Sequence, residues 1–75
     1  MASFGERMQT LRKQKNVTQK QIAEHFSLTE RAYQRYEGDA STPHFHVLLA
    51  LAEYFDVSLD YLVGRNDNPD SHKSQ

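Results

Sequence analysis

The stretch "TERAYQRYE", Thr29 to Glu37, concentrates side chains that can address the edges of nucleic-acid bases. Arginine carries a planar fork that fits the two acceptors of guanine, O6 and N7. Glutamine carries one donor and one acceptor, which fit N7 and the N6 amine of adenine. The segment holds Arg31, Gln34 and Arg35, together with Tyr33, Tyr36, Glu30 and Glu37. If it is helical, at about 100° per residue, the types separate by direction. With Tyr33 at the centre of one face, Ala32, Tyr36 and Thr29 fall beside it, Arg31, Gln34 and Arg35 fall opposite, and Glu30 sits at the rim near the N-terminal end. Glu30 could accept from a cytosine amine or repel phosphates and wrong sites. By residue types alone, an ordinary solvated helix face explains the same pattern.

The elements that must hold this segment announce themselves through their caps. Ser3 with Glu6 and Thr18 with Gln21 have capping-box spacing, and Val17 with Ile22 adds a hydrophobic staple to the second. Thr29 caps a third helix. "TPHF" places Thr42 as an N-cap with Pro43 at the first helical position. Ser58 caps a short last helix that Gly64 stops. The expectation is an all-α, five-helix domain with helices near 3–15, 18–25, 29–37, 43–55 and 58–63. The second and third are joined so tightly that they must cross steeply, as in a helix-turn-helix. In the fourth, Phe45, Leu48, Leu49, Ala52 and Phe55 form one apolar stripe, with Val47 and Leu51 beside it. Residues 1–64 read as the domain, and the polar "RNDNPDSHKSQ" of residues 65–75 as a disordered tail or linker.

Size and composition narrow the function classes. A chain of 75 residues buries only about 60–65% of its unfolded surface, so caps and single contacts weigh heavily. It has no cysteine, which excludes disulfides and thiolate zinc sites. His25, His44, His46 and His72 are scattered. On a helix His44 and His46 would point about 200° apart, which would deny them a shared metal. No nucleophile arrangement and no glycine-rich phosphate loop is present, so neither an enzyme, a metal site nor a cofactor is expected. No apolar run can span a bilayer and "MASFGERM" is not a signal peptide, which makes cytoplasmic the expected location and a membrane partner unexpected. Net charge is −1, but residues 1–38 balance at +3 and residues 39–75 at −4. The first half could face phosphates.

The stretches "TQKQIAEHFSLTERAYQRYE", "LRKQKNV" before it and "LLALAEYFDVSLDYL" after it resemble the lambda-repressor/Cro-type helix-turn-helix family, the xenobiotic-response-element class of bacterial and phage regulators. The resemblance covers about residues 4–63 and implies a lambda-repressor-like DNA-binding domain. It implies a transcriptional regulator, expected to be a repressor, that inserts helix 29–37 in the major groove. Carried over position by position, Glu30, Arg31, Gln34 and Arg35 are base-contacting. Gln19, Lys20 and Thr29 are backbone-contacting or supporting, and Arg12 with Glu37 is a structural salt bridge. Ala23 is small so that the third helix can approach. The implied partner is a double-stranded operator; because one short recognition helix reads too few base pairs, a near-palindrome bound by a homodimer is expected, with Tyr54, Tyr61 and Val63 of the fourth and fifth helices as candidate contacts. The chain departs from the family pattern at Ser27, where glycine is usual in the turn, at Asp39, where glycine is expected, and in "DAST", which lacks a basic residue. The competing reading is an antitoxin-like or other protein-interaction module built on the same fold.

Overall fold

Five helices account for the regular structure of the computed structural model, which describes residues 2–69. They are α1 (Phe4–Gln14), α2 (Gln19–His25), α3 (Glu30–Glu37), α4 (Phe45–Phe55) and α5 (Leu59–Leu62). No strand occurs among the described residues. The capping residues set the starts. Ser3 and Thr18 each accept from the backbone three residues on, and Glu6 and Gln21 return the bond to the cap's own N–H. Thr29 accepts from the Ala32 N–H and Ser58 from the Tyr61 N–H. Each such cap stabilises its helix by about 1 kcal/mol.

The helix ends share one device. Asn16, Ser27, Asp39, Asp56 and Gly64 all adopt positive φ, between 55° and 86°. After α2, Ser27 N–H bonds the Glu24 carbonyl and Leu28 N–H bonds the Ala23 carbonyl at 2.8 Å. This is the Schellman arrangement, and it turns the chain sharply enough to start α3 two residues later. Asparagine and aspartate tolerate the left-handed region, whereas serine occupies it at a cost of about 1–2 kcal/mol.

The core is Met8, Leu11, Ile22, Ala23, Tyr33, Leu51, Ala52 and Leu62, ringed by Phe4, Val17, Phe26, Leu28, Tyr36, Val47, Tyr54, Phe55, Val57 and Tyr61. It draws on all five helices, and α3 packs against both α1 and α2. The approach of α1 to α3 depends on Gly5. A Cβ there would overlap the backbone carbonyl of Glu37.

Four sequence expectations change. First, α4 starts at Phe45, not 43. Its N-cap is His44, which makes no side-chain capping bond. Thr42 is exposed and Pro43 is buried, so the proline serves packing instead of opening the helix. Second, the buried line of α4 runs through Leu51 and Ala52, with Val47 and Phe55 packed on it, while Phe45 (64% exposed) and Leu49 (39%) face outward. Third, because His44 precedes the helix, its ring is not opposed to that of His46. The two stack nearly parallel with centroids 6.2 Å apart. Fourth, residues 65–69 do not leave the domain. Asp67 binds the buried Arg7 at 3.0 Å, and the Pro69 carbonyl accepts from the Ser58 N–H at 3.0 Å. Arg7 also lies over the Tyr61 ring, 4.0 Å from its centroid. The remainder of the expected tail, residues 70–75, lies outside the described residues.

No helix among the described residues is long and apolar enough to cross a membrane, and no group of three or more His, Asp or Glu there is arranged to hold a metal.

Candidate nucleic-acid interface

α3 is sorted by direction as its sequence requires. Tyr33 is fully buried, Ala32 and Tyr36 are half-buried, and Glu30, Arg31, Gln34 and Arg35 are exposed. The Tyr33 and Tyr36 rings meet edge to face, with centroids 6.4 Å apart. Ala23, 1% exposed, lies in the core that receives Tyr33; a larger residue there would overpack it, a change that typically costs about 1–3 kcal/mol. Thr29 is exposed and spends its side chain on the α3 cap. Arg35 reaches its own loop, NH2 to the Ala40 carbonyl, at a long 3.4 Å.

The end of α3 is fastened by a polar network centred on Glu37. Arg12 Nε donates to Glu37 Oε2 at 2.6 Å, and Arg12 NH1 donates to the Val17 carbonyl at 2.9 Å. The Tyr33 hydroxyl donates to Glu37 Oε2 at 2.5 Å. Gln19 Nε2 donates to Glu37 Oε1 at 3.1 Å. Gln34 Nε2 in turn donates to Gln19 Oε1 at 3.2 Å. The Arg12 and Glu37 side chains are only 12% and 6% exposed, so this is a desolvated ion pair satisfied by further donors. Burial pushes the Glu37 carboxyl up, but the bonds from Arg12, Tyr33 and Gln19 outweigh it and hold the group below the usual carboxylate range. The hydrogen bond to Glu37 raises Arg12 against its own burial. Burial, then the Glu37 hydrogen bond, pushes the Tyr33 phenol up.

The loop after α3 is tied to the opposite end of α1. Asp39 Oδ2 accepts from the Ser3 hydroxyl at 2.7 Å, and Asp39 Oδ1 accepts from the Gly5 N–H at 2.9 Å. These two donors, the hydroxyl first, hold the exposed Asp39 carboxyl below its ordinary value. A carboxylate at a helix N-terminus meets free N–H groups and the positive end of the dipole. Aspartate in place of glycine therefore keeps the turn and adds a strap between α3 and α1.

An open groove of about 530 Å³ borders α3 at the start of α2, lined by Arg12, Lys13, Asn16, Val17, Thr18, Gln19, Lys20 and Glu30. Lys13 and Lys20 are exposed along it. Not every basic residue of the first half is available to an external anion. Arg7 is buried against Asp67, Arg12 is paired with Glu37, and Lys15 Nζ lies 4.6 Å from the Tyr54 ring centroid. Lys13, Lys20, Arg31 and Arg35 remain on the surface, so the basic face is narrower than the charge balance implies.

The structure thus gathers Gln19, Gln34, Arg12 and Glu37 into one network and leaves Glu30, Arg31, Gln34 and Arg35 on the surface beside the groove. Sequence reasoning missed two members. The Tyr33 hydroxyl bonds Glu37 at i,i+4, a spacing that was readable. The Asp39 strap spans 34 residues and has no local signal. The candidate dimer contacts Tyr54 and Tyr61 are half-buried and engaged inside the domain, Tyr54 with His25, Phe26 and Phe55, and Tyr61 beneath Arg7. Val63 is also half-buried.

Comparison with known proteins gives consistent matches. The helix-turn-helix domain family model matches residues 5–68. The uncharacterized HTH-type transcriptional regulator YobD of Bacillus subtilis is 37% identical over 67 residues, covering 89% of this chain and 60% of YobD. The HTH-type transcriptional regulator ImmR of the same organism is 34% identical over 65 residues, covering 87% of this chain and 51% of ImmR. The cryptic phage CTXphi transcriptional repressor RstR of Vibrio cholerae is 33% identical over 60 residues, covering 80% of this chain and 54% of RstR. The chain spans between about half and three-fifths of the length of these relatives.

Proposed function

Because the chain belongs to the helix-turn-helix domain family, we propose that it binds double-stranded DNA sequence-specifically and regulates transcription as a repressor, with α3 in the major groove. The observation that carries this reading is the division of α3. One face is anchored by the buried Tyr33 and by Glu37, and the other presents Glu30, Arg31, Gln34 and Arg35 to solvent. A rigidly held helix with forked donors on its outer face is what base-edge reading needs.

In this reading Arg31 and Arg35 donate to guanine, Gln34 meets adenine, and Glu30 accepts from a cytosine amine or excludes wrong sites. Lys20 meets phosphate at the basic groove, joined by the free N–H groups at the start of α2, and Thr29 supports the entry of α3. Gln19 combines a backbone contact with support of Gln34. One short helix reads few base pairs, so two copies about 34 Å apart on a near-palindrome complete the site. The repressor assignment follows from the similarity to the transcriptional repressor RstR.

A salt titration tests it. Affinity for a selected operator should fall linearly on a log–log plot, with a slope of about −0.9 per phosphate neutralised. Arg31→Ala or Arg35→Ala should each cost about 1–3 kcal/mol at one base position. If both variants bind every sequence as the parent does, direct reading by α3 is wrong. Salt-insensitive association with a protein instead would favour the interaction-module reading.

A further inference from the structure

A carboxylate can only accept hydrogen bonds, whereas a glutamine amide accepts at one end and donates at the other. Placed in series, these groups transmit an orientation. Glu37 Oε1 must receive the nitrogen end of Gln19, and does so at 3.1 Å. Gln19 Oε1 is thereby turned toward Gln34 and must receive that amide's nitrogen end, at 3.2 Å. Gln34 is left with its Oε1, which no hydrogen bond engages among the described residues, and one spare N–H. Two groups secure the start of the series: Arg12 and the Tyr33 hydroxyl both donate to Glu37 Oε2 and hold the carboxylate in its plane.

We propose that Glu37 is a positioning residue for specificity: acting through Gln19, it fixes the amide sense of Gln34, so that Gln34 selects adenine against guanine at the base pair it meets. The inference rests on the reading of α3 as a DNA-reading helix. Adenine presents an amine donor beside an acceptor and matches an amide that offers its oxygen and one N–H. Guanine presents two acceptors, one of which would face the Gln34 oxygen. An isolated exposed glutamine would turn over and accept either purine. Here turning it over alone sets its oxygen against that of Gln19, and turning Gln19 with it sets the Gln19 oxygen against the Glu37 carboxylate.

The series also predicts its own inversion. In Glu37→Gln, Arg12 Nε and the Tyr33 hydroxyl, at 2.6 and 2.5 Å, retain the new amide's oxygen against the single longer bond, 3.5 Å, that Arg12 NH2 gives to Oε1. The amide nitrogen then falls where Oε1 was, facing Gln19. Gln19 must turn its oxygen to it, and Gln34 must then turn its nitrogen outward, toward guanine. A role confined to fastening α3 would weaken binding to all sequences alike and would not exchange one base for another.

The test begins with selection of bound duplexes from a random pool, using the parent and Gln34→Ala to locate the base pair that Gln34 reads. Relative affinities for the four base pairs at that position are then measured for the parent, Glu37→Gln and Gln19→Leu. The parent should favour adenine over guanine about fivefold or more. Glu37→Gln should bring the ratio to parity or reverse it. Gln19→Leu should bring it within about twofold, while preferences at other positions persist even as overall affinity falls. Should Glu37→Gln fail to fold, Gln19→Leu, made at the half-buried first residue of α2, decides the matter. An adenine preference unchanged in the folded variants, or a parent that favours guanine there, overturns the amide series and leaves α3 as a reading helix. A pool that yields no enriched sequence at all overturns the DNA-reading proposal, and the series with it.

Discussion

Replacing Glu37 by leucine removes the shared acceptor of three side chains, Arg12, Tyr33 and Gln19, and leaves the guanidinium of Arg12, 12% exposed at the side chain, without its counter-charge. Removing one partner of a desolvated ion pair typically costs about 3–5 kcal/mol, because the remaining charge stays buried. A domain of this size holds roughly 4–11 kcal/mol in total, so Glu37→Leu should forfeit a large fraction of it. Glu37→Gln keeps an oxygen for Arg12 and Tyr33 but loses the charge, so it should cost less, about 1.5–3 kcal/mol, the scale of a charge-assisted hydrogen bond. The double variant Arg12→Met/Glu37→Leu removes both charges and should recover part of the single-variant loss. Urea unfolding followed by circular dichroism measures all three, together with the single variant Arg12→Met that completes the cycle. If Glu37→Leu costs under about 1 kcal/mol, or if the double variant is less stable by the sum of the two singles, the buried pair is not what fastens α3.

Three further perturbations test other parts of the structure. Ser27→Gly relieves a left-handed serine but loosens the unfolded chain, for a net gain of about 0.5–1 kcal/mol; a lower melting temperature would contradict the reading of the α2–α3 turn. Gly5→Ala forces a methyl into the Glu37 carbonyl, and overpacking of about 1–3 kcal/mol should outweigh the ~1 kcal/mol by which a helix ordinarily prefers alanine to glycine, for a net loss of stability; a neutral or stabilising result would show that α1 and α3 are free to separate. Acid unfolding has a defined sign. Glu37 and Asp39 are held below their ordinary carboxylate values, so their contribution is fully present above the unfolded value of about 4 and is lost as pH falls through the depressed folded values. Stability should decline below about pH 4, and Glu37→Gln should flatten that decline; an identical pH profile for the variant would exclude Glu37 as its source.

What the sequence made legible was local. Ser3–Glu6 and Thr18–Gln21 announce their helices because both partners of a capping box lie within four residues. The two faces of α3 follow from helical periodicity alone. The family resemblance supplied Arg12 with Glu37. What stayed hidden depends on contacts between distant segments. The start of α4 was misplaced because Thr42–Pro43 is a sound opening dipeptide in isolation, and only the packed chain shows Pro43 buried instead. With the helix beginning at Phe45, the apolar stripe rotates inward through Leu51 and leaves Phe45 and Leu49 outside. The polar composition of residues 65–69 concealed their attachment, since Asp67 is anchored by an arginine 60 residues away. Asp39 looked like a missing glycine, yet its carboxylate joins α3 to α1.

Selection from a random DNA pool with the parent and the Arg31→Ala/Arg35→Ala double variant tests the central claim most directly. The account predicts that the parent enriches a near-palindromic sequence with half-sites one helical turn apart, and that the double variant loses the preference at specific base pairs. Enrichment of the same sequence by both proteins, or of none by the parent, would contradict it.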